Sequence, residues 1–132
     1  MSGRLLLEDQ AGKIMETKIF YSNTVPKTVM AFRNRPCALK KSDPSFEQPS
    51  AAEVRALRNL LGCSQVGLAK ILGVTYNVKK GSQTVRKWET SEDSKEHRPI
   101  NYAAWRLMLI AAGVISSSDL IDEVSAQSSN VT

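Results

Sequence analysis

The chain has 132 residues, enough for one hydrophobic core of ordinary size and too few for two. Its 18 Lys and Arg against 13 Asp and Glu give a net charge of +5 and a pI near 9.4. That balance suits a polyanionic partner but is shared by many basic proteins that bind none. Two cysteines 26 positions apart and one histidine do not make a four-ligand zinc site, so no metal or cofactor is expected.

Where the charge sits is more informative. Residues 51–113 hold ten Lys/Arg and five Asp/Glu, a surplus of +5; residues 1–50 hold eight and five, and residues 114–132 hold none and three. The middle is the basic part. No apolar run reaches the roughly 18 residues that span a bilayer. The run Leu5, Leu6, Leu7 stops at Glu8 and Asp9, too short for a secretory signal. A soluble, cytoplasmic chain with no membrane partner is the expectation.

In chain order, residues 1–13 show no clear period. From Lys13 to Tyr21, Met15, Thr17, Ile19 and Tyr21 fall on one parity and would make the apolar face of a strand. Asn23 and Pro26 mark a turn, and residues 28–34, TVMAFRN, read as a second strand or a short helix. The first reading is a β-hairpin, which is marginal alone in water and needs a surface to pack on. Residues 35–50, with Pro36, Pro44 and Pro49, read as a connector, so residues 1–49 form an N-terminal extension.

From Ser50 the pattern becomes helical. Ser50 and Glu53 form a capping box ahead of a helix with Val54, Leu57, Leu60 and Leu61 at helical spacing and Gly62 as its stop. Ser64 caps a second helix with Leu68, Ala69 and Leu72 inward and Gly73 at its end, and Ser82 caps a third with Val85 and Trp88 inward. Gln83, Thr84, Arg86 and Lys87 are left on the outer face of that third helix. Pro99 suits the first turn of a longer helix to about Ala112, with Ala103, Leu107 and Ile110 on one stripe. Ser118 and Asp119 suit the cap of a last short helix, LIDEV, and residues 125–132 read as a polar tail. The fold class expected is mainly α: a four- to five-helix domain over residues 50–124, built on a helix-turn-helix, with the extension and its hairpin in front.

Each feature also has a plainer reading. Trp88 and Trp105 occupy apolar helical positions and are core rather than stacking platforms. Cys63 reads as a small buried hydrophobe, and His97 as an exposed loop residue. Glu89, Glu92, Asp93 and Glu96 would repel phosphate and should face away from a duplex. Ser64, Ser82 and Cys63 are better explained as caps or core than as nucleophiles, and no phosphate loop or paired-carboxylate motif occurs, so enzyme activity is not expected.

Residues 54–89, VRALRNLLGCSQVGLAKILGV and then TVRKWE, resemble the helix-turn-helix of the Cro and lambda-repressor family, also called the xenobiotic-response-element type. The resemblance covers about half the chain. More loosely, SEDSKEHRP and the helix after it resemble small phage-borne or mobile-element autorepressors. The family resemblance implies that Gln65, opening the second helix, contacts a phosphate and braces the recognition helix. It also implies that Ser82 and Gln83, with Lys87 one turn on, read base edges, while Arg86 reaches a base or a phosphate and Thr84 either does the same or only packs its methyl. A Gln amide pairs bidentately with adenine and a Lys donates to guanine, each contact discriminating by roughly 1–3 kcal/mol.

The chain departs from the family pattern at the turn. Eight residues, Tyr76 to Gln83, separate Thr75 from Thr84, where the family has about two. The insertion carries Asn77, Lys79, Lys80 and Gly81, and Asn77, Lys79 and Lys80 join the expected DNA-contacting set. The function implied is a sequence-specific DNA-binding transcriptional regulator, a repressor that binds a palindromic operator on double-stranded DNA as a homodimer and regulates its own operon. A second reading is the antitoxin of a toxin–antitoxin pair, with residues 1–49 wrapped on a toxin partner. A third is an interaction domain that binds no DNA.

Overall fold

The computed structural model describes residues 25–120. The expected first strand at 13–21, most of the LIDEV segment and the polar tail lie outside them. Among the described residues the structure is helical: α1 (Val29–Arg33), a 3-10 turn (Pro36–Ala38), α2 (Ala51–Leu61), α3 (Gln65–Leu72), α4 (Gln83–Trp88) and α5 (Tyr102–Ala111). This is the mainly α architecture expected of a helix-turn-helix domain.

Residues 28–34 take the helical alternative, not the strand. Thr28 is extended and its hydroxyl accepts the amide of Ala31 at 3.1 Å, which starts α1. Phe32 then drops into the core with no exposure, its ring centroid 6.2 Å from that of Trp105. The connector is likewise held down. Cys37 and Ala38 are buried, the Trp105 indole donates to the Cys37 carbonyl at 2.7 Å, and Arg106 donates to the carbonyls of Ala38 and Leu39. Gln48 adds a bond to the Ile100 carbonyl at 2.8 Å. Three prolines remove amide donors from this stretch, so its carbonyls are satisfied by α5 side chains instead of by a ladder.

The capping box at Ser50 forms as expected: the Ser50 hydroxyl accepts the Glu53 amide at 3.1 Å and the Glu53 carboxylate accepts the Ser50 amide at 2.8 Å. The same carboxylate accepts from Arg35 at 2.8 Å, so one residue caps α2 and anchors the segment before it. Gly62 ends α2 in the left-handed region at φ 72°, where a side chain would be strained.

Two expectations for α5 are corrected. Pro99 lies before the helix, and Asn101 is the cap, its side chain accepting the Ala104 amide at 2.8 Å. The buried face is Ala104, Trp105, Met108 and Leu109, whereas Leu107 is 48% exposed and Ala103 faces solvent. The segment YAAWRLMLIA is apolar nearly all round, so its period leaves the face open; the bulk of Trp105 and Met108 against Phe32, Leu57 and Leu68 decides it. At the next helical turn, residues 117–120, Ser116 and not Ser118 is in the cap position, its amide bonded to Asp119 at 2.8 Å. Cys63 is half-buried after α2 rather than within a core, and the buried thiol is Cys37.

Candidate nucleic-acid interface

α3 and α4 form the helix-turn-helix. The hydroxyl of Ser64 accepts the Gly67 amide at 3.0 Å to open α3, and Gly73 closes it. Leu68 and Ala69 of α3 and Val85 and Trp88 of α4 are buried together, which fixes the α4 face that remains outside. That face carries Gln83, exposed, with Arg86 and Lys87 half-exposed. Gln83 and Arg86 are already joined, the guanidinium donating to the Gln83 amide oxygen at 2.7 Å.

The enlarged turn is an ordered tongue. Asn77 and Gly81 exchange both backbone hydrogen bonds at 2.8 Å, forming an isolated antiparallel bridge. Inside it the Asn77 side-chain oxygen accepts the amides of Lys79 and Lys80 at 2.8 and 3.0 Å, so Asn77 holds the tip together. Gly81 closes the tongue at φ 79°, and a Cβ built there would meet only Val66 of α3, at 3.9 Å. At its base the buried Ser82 hydroxyl donates to the Thr75 carbonyl at 2.8 Å and accepts the Val85 amide at 3.2 Å. Thr75 and Thr84 hydroxyls meet at 3.2 Å, and Lys70 lies 5.6 Å from the centre of the Tyr76 ring. Lys79 and Lys80 are exposed at the end of this braced loop, beside the start of α4.

The geometry therefore sorts the expected set. Gln83, Arg86 and Lys87 stay exposed or half-exposed on α4, and Lys79 and Lys80 are exposed on the turn that leads into it. Ser82 is 2% exposed with its hydroxyl engaged on both sides, so its place is the cap. Asn77 and Thr84 hold the tongue, and Gln65 reaches inward, its amide donating to Glu89 at 3.1 Å.

Glu89, expected with its acidic neighbours on the side away from the duplex, is buried and holds the motif together. Its carboxylate accepts from Arg58 at 2.6 and 2.9 Å and from Gln65, with Arg55 at 3.5 Å. Arg58 also donates to the Cys63 carbonyl between α2 and α3 at 3.0 Å. Burial alone would raise the Glu89 carboxyl; hydrogen bonds from Arg58 and Gln65 and the charges of Arg58 and Arg55 outweigh it and hold the group below its ordinary range. The sequence signal is a pair of arginines one turn apart, Arg55 and Arg58, and a carboxylate directly after the inward Trp88.

The rest of the acidic stretch divides. Glu92 accepts the Ala51 amide at the start of α2 at 2.6 Å. Glu96 pairs with Arg86 at 2.9 Å, the arginine half-exposed and the glutamate exposed. The expected free loop histidine, His97, is half-buried with Nδ1 2.7 Å from the Thr90 carbonyl. Trp88 and Trp105 are core, as expected. Among the described residues no helix is long and apolar enough to cross a membrane.

No family model matches the chain, and no solved structure matches it. Two curated relatives do. One is a transcriptional repressor protein KorC of Escherichia coli, 42% identical over 67 residues, which are 51% of this chain and 69% of that protein. The other, also a transcriptional repressor protein KorC of Escherichia coli, is 42% identical over 69 residues, 52% of this chain and 72% of its own. With more than two thirds of a curated relative covered at that identity, the chain belongs to the family of the KorC transcriptional repressor proteins.

Proposed function

We propose that this protein is a sequence-specific DNA-binding transcriptional repressor of the Cro and lambda-repressor helix-turn-helix type, acting on an operator near its own gene. The observation that carries the reading is the outer surface of α4. Its Gln83, Arg86 and Lys87 lie beside two exposed lysines on an ordered turn, on a chain whose relatives are repressors. Gln83 and Lys87 read base edges, and Arg86 reads a base or holds a phosphate after leaving Glu96. Lys79 and Lys80 neutralise backbone phosphates. A single motif of this size contacts few base pairs, so the protein acts as a dimer on a palindrome with half-sites about one helical turn apart.

The test is binding of the full chain to the duplex upstream of its gene, competed with random duplex at two salt concentrations. The expected result is a complex of two chains that survives competitor. Equal loss of binding to both duplexes on raising salt would reduce the interface to a basic surface. Among variants, Gln83→Ala or Lys87→Ala is expected to relax specificity at one base position by roughly 1–3 kcal/mol. Lys79→Ala or Lys80→Ala is expected to weaken all sequences alike and to reduce the slope of log affinity against log salt by about 1 for each phosphate no longer neutralised. Footprint-scale binding across a set of single-base operator variants separates the two patterns; unchanged binding in both sets would remove the assigned face.

A further inference from the structure

The tongue that presents Lys79 and Lys80 also presents Val78, 93% exposed at its tip. A lone exposed valine on a loose loop needs no explanation. This one is held out by a closed structure. The reciprocal Asn77–Gly81 bonds, the two amides gathered by the Asn77 side chain and the Ser82 bond to Thr75 tie down the backbone on both sides of the tip. Tyr76, the neighbouring apolar ring, is packed toward Lys70 of α3 instead of over Val78. An apolar group is thus offered to the outside with two cations directly after it in the chain, at the entrance to the recognition helix.

The chemistry of that combination is selective. Two lysines favour a polyanion, and the valine asks for an apolar surface on it. On the major-groove edge of a DNA duplex the apolar group is the thymine 5-methyl. We propose that Val78 packs on the methyl of a thymine flanking the bases read by α4, so that the inserted turn is a second reading element and not only a phosphate clamp. This inference rests on the DNA-binding reading above and adds a residue and a base to it.

The experiment uses the full chain and a duplex selected from a random pool for tight binding. Each thymine is replaced in turn by deoxyuridine, which removes only the methyl. At one position the wild-type affinity is expected to fall about fourfold, the worth of one buried methyl. Val78→Ser is expected to bind the thymine duplex more weakly by a similar factor and to be indifferent to uracil at that same position. Because Val78 touches solvent on nearly every side, the melting temperature of the variant should match the wild type, which separates weaker DNA packing from damage to the fold. Equal weakening of Val78→Ser on thymine and uracil duplexes, or no weakening on either, overturns the inference while leaving the repressor reading intact. If selection yields no preferred duplex, both fall together.

Discussion

Replacing Glu89 by alanine is expected to lower the free energy of unfolding by about 3–5 kcal/mol, because it strands the Arg58 guanidinium among buried groups. The side chain of Glu89 is 1% exposed and that of Arg58 14%, so the pair is screened little by solvent. The loss falls on the packing of α4 against α2 and α3. Glu89 ends α4, Gln65 opens α3, and Arg58 belongs to α2 while bonding the Cys63 carbonyl, so one carboxylate fixes α4 against both neighbours. Urea unfolding measures the loss. A change below about 1 kcal/mol, the range of a surface pair, would contradict the keystone role. The double variant Arg58→Met, Glu89→Leu should cost much less than the sum of the single ones, because no unpaired charge is left.

The same carboxylate sets a pH dependence. Its folded value lies below the ordinary glutamate value of 4.5, so the unfolded chain takes up a proton at higher pH than the folded one. Its contribution is therefore fully present above about pH 4.5 and is lost as pH falls through the folded value. Wild-type stability should decline across that acid window, and Glu89→Ala should decline less steeply.

The motif is legible in the sequence because its signals are local. Ser50, Ser64 and Ser82 each precede an apolar period, and the capping hydrogen bonds of all three are present. The outer residues of α4 follow from the inward Val85 and Trp88. The path of the insertion is not legible, because a bridge between Asn77 and Gly81 has no period, and its one sequence cue is an Asn and a Gly at the two ends. Ser82 shows the limit of carrying roles by position: it sits at an expected base-reading position, yet burial commits it to holding the motif. The face of α5 escapes the sequence for the opposite reason, too much apolar character rather than too little. Residues 28–34 read as a strand or a short helix and 35–50 as a connector, because the partners that settle 35–39, Glu53, Trp105 and Arg106, lie 18 to about 70 positions away.

Trp105→Ala is expected to cost about 3–5 kcal/mol, a large share of the 5–15 kcal/mol typical of a domain. Trp105 is fully buried, faces Phe32 and donates to the Cys37 carbonyl, so truncation opens a cavity and strands an acceptor together. Trp105→Phe separates the two effects: it keeps most of the volume, and the stranded carbonyl alone should cost about 1–3 kcal/mol. The damage should also be uneven. Trp105 holds residues 32–38 to the core, while the α4 bonds to α2 and α3 run through Glu89. Hydrogen exchange on Trp105→Phe should therefore show amides of residues 35–39 opening well before those of α3 and α4. Equal acceleration in both regions would mean that the segment before α2 and the helix-turn-helix open as one unit. Early opening confined to 35–39 would mean that the α4 surface is organised independently of it, and the operator binding proposed above should then survive the substitution at temperatures where the rest of the fold is intact.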